Sequence, residues 1–216
     1  IYLYDRMRNL QENKGSRWCN GDWRDLEREF GTKTPEAFRD GIVRFWRRYS
    51  PKLLSEGASQ GSTPLADLFG LAGLTIEATE FPDLPWRLSA AEAAVAFRYA
   101  MRELNGFPPW FAALSSAHPD VVKSMVLTEV TFELQNDKEG ALSQYMIYDL
   151  SRVGDWLWNS IAPDILKLLR TYPPKGIARL QHMVDIVSAS NLPDASLAAL
   201  AAEKMTGGDP KHLALW

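Results

Sequence analysis

The feature of this sequence that most restricts its fold is a Pro-Asp pair that recurs before apolar helical runs. The three copies are Pro119-Asp120, Pro163-Asp164 and Pro193-Asp194. Proline suits the first turn of a helix, where its missing N–H has no intrahelical partner, and aspartate beside it complements the positive end of the helix dipole. Helix starts that recur in this way predict stacked antiparallel helical hairpins, which is the architecture of a short α-solenoid.

The remaining patterns also favour an all-α class, with hairpins stacked as in HEAT and armadillo repeats. Apolar residues make up 46 % of the 216 residues, so a sizeable core can be buried. Ser89 and Glu92 form a capping box that predicts a helix start at Ala90. The segment 71–80 leaves helix and strand open, because apolar and polar residues alternate there. We favour the helix, since a single strand has no partner.

Several helix boundaries follow from capping residues. Asp22 predicts the start of a short helix that Gly31 ends, and Thr34 predicts the N-cap of the next helix. Asp155 predicts the N-cap of a helix that is interrupted or kinked at Pro163. Further helices are predicted over 2–11, 109–116, 119–134, 137–150, 175–189 and 194–205. In the helix 119–134 an apolar stripe on one face consists of Val122, Val126, Val130 and Leu134.

The stretch 55–63 is the most linker-like part of the sequence, being rich in serine and glycine. It divides the chain into an N-terminal helical segment, 1–54, and a helical-repeat body, 64–216. The alternative is that 55–63 is a surface loop within one continuous domain, 1–216. Residues 1–52 carry an excess of basic side chains and the rest an excess of acidic ones. We favour two attracting halves, or the mild bias of a fragment, over a patch for an anionic partner.

The single cysteine, Cys19, excludes an intrachain disulfide and predicts a reducing, cytoplasmic location. No apolar stretch approaches the length of about 20 residues that spans a membrane, and no signal peptide is recognisable, so no membrane partner is predicted. The chain begins at Ile1 and ends on an apolar run, Leu213–Trp216. We therefore expect a piece of a longer protein, in whose other parts an activity would reside.

Parts of the sequence resemble a known class of helical repeats. The segment 89–134, above all Tyr99–Pro108, is similar to helical-repeat regions of large bacterial proteins that carry a NACHT- or STAND-class signalling ATPase module. Phe45–Pro51 and Gly70–Leu74 resemble the upstream part of the same region. The resemblance implies a sensor or scaffold region of a multidomain protein with a role in phage defence. It carries over no catalytic residue, because the phosphate-binding loop of that class is absent from this sequence.

No arrangement of residues in the sequence predicts catalysis, a metal site or a cofactor. The nearest approach to a phosphate-binding loop, Gly57–Thr63, lacks the lysine and the glycine spacing of such loops. His118, His182 and His212 are far apart and lack further ligands at helical spacing. Cys19 is expected to be a buried or idle thiol, since no partner histidine is identifiable.

Glu77 and Glu80 lie one helical turn apart and form a carboxylate pair that is a candidate metal-binding or acid–base site. Such a pair could ligate a metal or perform acid–base chemistry. We expect instead that both carboxylates lie on an exposed, solvated face of the helix.

The strongest candidate for a nucleic-acid contact is the basic, aromatic stretch 39–52, where arginines could hold phosphates and aromatic rings could stack on bases. Its members are Arg39, Arg44, Trp46, Arg47, Arg48, Tyr49 and Lys52. The alternative is an ordinary helix surface. In that interpretation Asp40 and Arg44 pair in the favourable acid-first order, and Phe45 and Tyr49 belong to a buried stripe.

Two aromatic clusters at helix starts, Trp110-Phe111 and Trp156 with Trp158, are expected to pack in the core. A member of either cluster that is exposed would be a hot spot for a protein partner. The complete candidate binding surface is Arg39, Arg47, Arg48, Lys52, Trp110, Trp156 and Trp158.

These patterns lead to one functional hypothesis and two alternatives. We expect a non-catalytic helical-repeat scaffold or sensor fragment of a larger intracellular bacterial protein, which contacts a protein partner or a neighbouring domain. The first alternative is a nucleic-acid-binding helical domain that uses 39–52. The second is an enzyme whose chemistry the residue spacing does not reveal, and which a concave pocket with convergent carboxylates and histidines would indicate.

Overall fold

The computed structural model describes residues 1–10, 17–59, 61–104, 106–137 and 146–207, and within these ranges the chain forms helices joined by turns and loops, with no strand. The predicted all-α class is therefore confirmed for the described part of the chain. The helices are α1 (Tyr2–Leu10), α2 (Glu27–Phe30), α3 (Lys33–Trp46), α4 (Leu65–Glu80), α5 (Leu84–Arg87), α6 (Ala90–Ala100), α7 (Phe111–Ala117), α8 (Pro119–Gln135), α9 (Met146–Val153), α10 (Asp155–Thr171), α11 (Ile177–Ser188) and α12 (Asp194–Gly207). Two short 3-10 turns, Trp23–Leu26 and Leu54–Glu56, precede α2 and α4.

The chain forms two compact units, unit 1 (Ile1–Val122) and unit 2 (Lys123–Trp216). The division falls within α8. The serine- and glycine-rich stretch 55–63 lies inside unit 1, where part of it forms the second 3-10 turn.

Unit 1 is organised around the contact between α3 and α4, the most extensive helix pair in the described part of the chain. Ile42 and Trp46 of α3 are fully buried there. A Cβ on Gly73 of α4 would overlap the Ile42 carbonyl, so only glycine allows the two backbones to approach this closely. Met7 of α1 and Leu26 of the first 3-10 turn extend the same core cluster.

Four sequence predictions about helix starts, ends and types are confirmed in unit 1. Ser89 Oγ accepts a hydrogen bond from the Glu92 amide at 3.3 Å, and Glu92 Oε2 accepts one from the Ser89 amide at 2.9 Å, which is the predicted capping box. The segment 71–80 is helical as part of α4. Asp22 caps the first 3-10 turn through its side chain, and Gly31 follows the end of α2.

Two predicted N-caps are wrong. The helix α3 begins at Lys33, before Thr34, and its N-cap Thr32 makes no side-chain capping bond. Asp155 is the first residue of α10, and Gly154 occupies the N-cap. A short polar side chain near a helix start is therefore not enough to fix the cap, because the flanking backbone decides where the helical dihedrals begin.

The predicted interruption at Pro163 is also wrong, because Pro163 lies inside α10, which continues unbroken to Thr171. The second Pro-Asp pair is therefore not a helix start, and the recurrence that suggested a solenoid loses one of its three members. Burial explains the continuity. Ile161 and Ala162 before the proline, and Ile165 after it, are all fully buried, so packing on both sides of Pro163 keeps the helix intact.

Unit 2 is built from α9, α10 and α11, with α11 packed against both of the others. The predicted buried stripe of α8 is confirmed, since Val122, Val126 and Val130 are fully buried. The predicted helix over 137–150 is described only as α9, from Met146, because residues 138–145 lie outside the described residues. In the described part of the chain no helix is both long enough and apolar enough to cross a membrane.

Candidate functional site

The C-terminal half of α4 presents Glu77 and Glu80 to side chains of α3 and the first 3-10 turn. Each carboxylate side chain is only 13 % exposed. The expectation of an exposed, solvated face is therefore wrong. The two carboxylates are covered by tertiary contacts, because α3 and the first 3-10 turn pack on this face of α4 and bring indole and guanidinium donors to both of them.

Glu77 is held by two consecutive residues at the end of α3. The indole N–H of Trp46 donates to Oε2 at 2.7 Å, and Arg47 Nη1 donates to the same oxygen at 2.6 Å. Arg47 Nη2 bonds the other oxygen at 2.9 Å, while its guanidinium lies 4.2 Å from the centre of the Trp46 ring. A tryptophan and the arginine that follows it thus grip one carboxylate together, through charge-assisted hydrogen bonds and a cation–π contact.

Glu80 is held in the same way by the consecutive pair Trp23 and Arg24. The Trp23 indole N–H donates to Oε1 at 2.9 Å, and Arg24 Nη2 reaches the same oxygen at 3.3 Å. The Arg24 guanidinium lies 4.4 Å from the Trp23 ring centre. Arg39 of α3 pairs with the other oxygen. Burial raises the pKa of Glu80, but the hydrogen bonds from Arg39 and Trp23 outweigh burial and leave that pKa lowered.

A third consecutive pair, Trp86 and Arg87 at the end of α5, lies on the surface. The Trp86 side chain is 60 % exposed, and Phe81 beside this helix is 41 % exposed. No described residue accepts a hydrogen bond from the Trp86 indole N–H. Arg87 pairs with Asp83 at 3.2 Å, and its guanidinium lies 5.1 Å from the Phe81 ring centre.

The backbone that carries Trp86 is fixed from below. Leu84 and Pro85 are buried, and His118 Nε2 lies 2.9 Å from the Pro85 carbonyl oxygen. Because a carbonyl only accepts, this histidine carries its proton on Nε2 and donates it to Pro85. His118 is thus a structural residue, which agrees with its interpretation from the sequence.

The basic stretch 39–52 is partly committed to contacts within unit 1. Arg39 and Arg47 hold Glu80 and Glu77, and Trp46 is fully buried. The remaining cations of the stretch are exposed, namely Arg44, Arg48 and Lys52. The structure therefore separates the predicted members of this surface into paired arginines and exposed basic side chains.

The tryptophans of the predicted surface occupy three environments. Trp110 is 8 % exposed and donates its indole N–H to Thr75 Oγ1 at 2.9 Å, so it belongs to the core of unit 1. Trp158 is half-buried and donates to the Leu150 carbonyl at 2.7 Å. Trp156 is 37 % exposed. Only Trp156 of the two predicted clusters meets the condition of an exposed ring.

A cavity of about 280 Å³ in unit 1 is bordered by Cys19, Trp23, Thr75 and Glu80, among other residues. Burial raises the pKa of the Cys19 thiol, which keeps it protonated and unreactive. Glu80 is occupied by its three donors. Among the described residues that line this cavity, Cys19 is therefore not an activated nucleophile and Glu80 is not an unpaired carboxylate.

A serine–histidine contact occurs in unit 2, where Ser151 Oγ lies 2.9 Å from His182 Nδ1. Ser151 Oγ also donates to the Tyr148 carbonyl at 2.9 Å, so the hydroxyl proton is used within α9. His182 then donates from Nδ1 and links α11 to α9. Burial lowers the pKa of His182. This pair is a contact between helices rather than a nucleophile with its base.

Unit 2 also buries two carboxylates of α8, Glu129 and Glu133, and the carboxylate of Asp137, which follows that helix. Asp137 pairs with the buried Arg179 and accepts the Lys175 amide at 2.7 Å. Within the described ranges no group of three histidine, cysteine, aspartate or glutamate side chains is arranged to hold a metal ion.

Glu133 is the most strongly perturbed of these carboxylates. Its two oxygens accept the amides of Met146 and Ile147, at 2.7 and 3.3 Å, in the first turn of α9. Burial raises the pKa of Glu133 to about 8 in spite of these bonds. Glu133 therefore caps α9 across the unit, and it gains a proton in the folded state at neutral pH.

The sequence contains a signal for the carboxylate-binding pairs that the motifs above do not use. The dipeptide Trp-Arg occurs at residues 23, 46 and 86, and the first two copies each hold a glutamate. Recognising the dipeptide would have placed Trp86 among the candidates. Comparison with protein-family models, with curated proteins and with solved structures finds no match.

Proposed function

We propose that this chain is a non-catalytic helical scaffold or sensor region that contacts a protein partner through exposed aromatic side chains on a rigid helical frame. The observation that carries the proposal is Trp86, which is 60 % exposed and lies beside the 41 % exposed Phe81. Large exposed aromatic residues on a fixed backbone are typical of the residues that dominate protein–protein binding energies.

The mounting of Trp86 supports this role. Buried Leu84 and Pro85, together with the His118 hydrogen bond, hold the backbone of α5 in place. A ring presented from a held backbone loses little conformational entropy on binding, so more of its contact energy appears as affinity. Trp156 offers a second exposed ring, in unit 2.

Contacts in the basic stretch favour a protein partner over nucleic acid. Phosphate binding needs cations that are available to replace counterions. Arg39 and Arg47 already neutralise Glu80 and Glu77, which removes two of the five cations of that stretch.

The solenoid arrangement and the larger bacterial parent protein form the wider part of this proposal. Direct packing of consecutive helices, α3 with α4 and α10 with α11, supports helical hairpins as the building unit. The resemblance to helical-repeat regions of NACHT- and STAND-class proteins supports the sensor or scaffold role.

A photo-reactive benzophenone amino acid in place of Trp86 tests the proposal in the source cells. We expect a covalent adduct with one partner protein, and none when the same group replaces Lys33, an exposed residue of α3. The partner is then purified, and its affinity is measured by calorimetry. Trp86→Ala should weaken binding at least about tenfold, as a hot-spot residue does.

Leu65→Ala is the matched control, because Leu65 is also an exposed apolar residue of unit 1. We expect this variant to bind as the wild type does. Equal adducts from both crosslinking positions, or an unchanged affinity of Trp86→Ala, would contradict the proposal.

A further inference from the structure

We propose that Trp86 and Arg87 form a binding site for a carboxylate, and that the partner contacts α5 through an acidic side chain flanked by apolar residues. The inference rests on the proposed function and gives the chemistry of the partner. It is carried by the two equivalent pairs inside unit 1, which show how this chain binds carboxylates.

Both internal pairs bind in one geometry. In each, the indole N–H and the following guanidinium donate to a single carboxylate oxygen: Glu77 Oε2 at 2.7 and 2.6 Å, and Glu80 Oε1 at 2.9 and 3.3 Å. The indole supplies a directional donor, and the arginine supplies the charge. The Glu77 pair lies at the C-terminal end of a helix, as Trp86 and Arg87 do.

The pair on α5 has the same kinds of donor but no glutamate, and its guanidinium lies over Phe81 rather than over the preceding indole. The Trp86 indole N–H has no acceptor among the described residues. Arg87 contacts Asp83, yet both of these side chains are exposed by half or more, so the contact is weak and displaceable. Arg24 shows that a local aspartate does not saturate the arginine, since it pairs with Asp22 at 3.4 Å while it also holds Glu80.

The apolar surroundings define the rest of the partner. An exposed carboxylate contact contributes little, because water competes for both groups. The rings of Trp86 and Phe81 would exclude that water when apolar side chains of a partner cover them, which strengthens the bonds beneath. The Arg87 guanidinium is already held over Phe81, at 5.1 Å from the ring centre, so its charge is positioned before binding.

Indole N–H resonances in a nitrogen-15 correlation spectrum test the site directly. The probe is the acetylated and amidated pentapeptide Ala-Leu-Glu-Leu-Ala at millimolar concentration, and the control is the same peptide with glutamine in place of glutamate. The Trp86 signal is assigned with Trp86→Phe. We expect the glutamate peptide to shift the Trp86 indole signal, while the signals of Trp23 and Trp46, whose donors are occupied, stay in place.

Arg87→Gln should reduce the apparent affinity for the glutamate peptide about three- to fivefold, which is the effect of removing one exposed ion pair. Arg28→Gln is the matched control, since Arg28 is an exposed arginine of α2 in the same unit. Circular dichroism checks that both variants keep their helices.

Three results would overturn the carboxylate site. They are an unchanged chemical shift of the Trp86 indole with the glutamate peptide, an equal shift with the glutamine peptide, and an unchanged affinity of Arg87→Gln for the glutamate peptide. The proposed function has its own readout. If position 86 crosslinks to a partner but Trp86 does not respond to the glutamate peptide, the protein contact is purely apolar and the carboxylate site is wrong. If Trp86 responds to the glutamate peptide but no crosslink forms, the proposed protein partner is wrong and the carboxylate site remains.

Discussion

At the scale of single residues, Glu80 receives hydrogen bonds from Trp23, Arg24 and Arg39, which belong to two different elements. One carboxylate thereby ties the first 3-10 turn and α3 to α4. The same atoms on an exposed helix face would have no structural effect. Their contribution comes from partial burial, which removes competing water while three donors replace it.

Glu80→Gln should lower the free energy of unfolding by about 1–3 kcal/mol, because it removes a charged acceptor from a largely buried network. Urea denaturation at neutral pH measures this loss. Asp40→Asn is the control, since Asp40 is half-exposed and contacts only the side chain of Arg39. The control should stay within about 0.5 kcal/mol of the wild type.

The effect of Glu80→Gln should depend on pH. The pKa of Glu80 is lowered in the fold. Its stabilisation is therefore present above the pKa of the unfolded chain and is lost as pH falls through the folded-state pKa. The stability difference between wild type and Glu80→Gln should narrow in acid, and a constant difference would contradict the pairing described for Glu80.

The contribution of Glu133 to stability depends on pH in the opposite direction, because burial raises its pKa from 4.5 to about 8. The folded state binds a proton that the unfolded state releases, so stability should fall as pH rises between these values. Asp149, whose pKa burial raises to about 6, adds to the slope only in the lower part of that range. Denaturation between pH 6.5 and 8 therefore reports mainly on Glu133.

Glu133→Gln should remove this slope, which reaches at most about 1.4 kcal/mol per pH unit for one proton. The amide keeps an oxygen for the first turn of α9, so the variant should be more stable than wild type at pH 8. Glu203→Gln, at an exposed position of α12, should leave the slope unchanged. A flat wild-type profile across this window would show that Glu133 is ionised in the fold.

At the scale of elements, α10 shows that packing overrides a helix-breaking residue. Pro163 lacks the N–H that would bond within the helix, yet buried residues on both sides keep α10 continuous. Pro163→Ala restores the donor and should stabilise the chain by about 1–3 kcal/mol. Thermal and urea denaturation measure the gain.

Pro193→Ala is the matched control for Pro163→Ala, because Pro193 belongs to another Pro-Asp pair but lies before the first residue of α12. Its missing N–H has no intrahelical role. We expect a change within about 0.5 kcal/mol. Equal effects from both prolines would contradict the difference in their positions.

The α3–α4 contact supplies a second comparison at this scale. Gly73→Ala should cost more than about 3 kcal/mol or prevent folding, because the new methyl group would overlap the Ile42 carbonyl. Gly41→Ala in α3 meets no atom within 4 Å and should stabilise by about 0.5–1 kcal/mol. Urea denaturation of the two variants side by side is the measurement.

The sequence predicted most helices but not their exact ends. Capping-box chemistry at Ser89 and the apolar stripe of α8 are local signals, and both are confirmed. The predicted caps at Thr34 and Asp155 and the predicted interruption at Pro163 are wrong, because backbone geometry and packing from other elements decided them. Local patterns therefore determine which segments are helical, while tertiary contacts determine where each helix begins and whether it continues past a proline.

At the scale of the whole molecule, periodicity predicted the all-α class, and two compact units form within it. The site could not be predicted in the same way. Whether Glu77, Glu80, Trp110 and Trp86 are buried or exposed depends on which helix covers each face, and residue spacing does not carry that information. The structure accordingly favours Trp86 and Arg87 at the end of α5 as the candidate surface, in place of the basic stretch and Trp110.

The contacts of Trp46 and Arg47 with Glu77 also make Trp46 an intrinsic fluorescence probe. Trp46 is one of eight tryptophans, and its ring is wholly buried against a guanidinium while its N–H bonds a carboxylate. Water reaching that ring would move its fluorescence emission to longer wavelength. Separation of α3 from α4 can therefore be followed through the emission wavelength of tryptophan fluorescence, without attaching a dye.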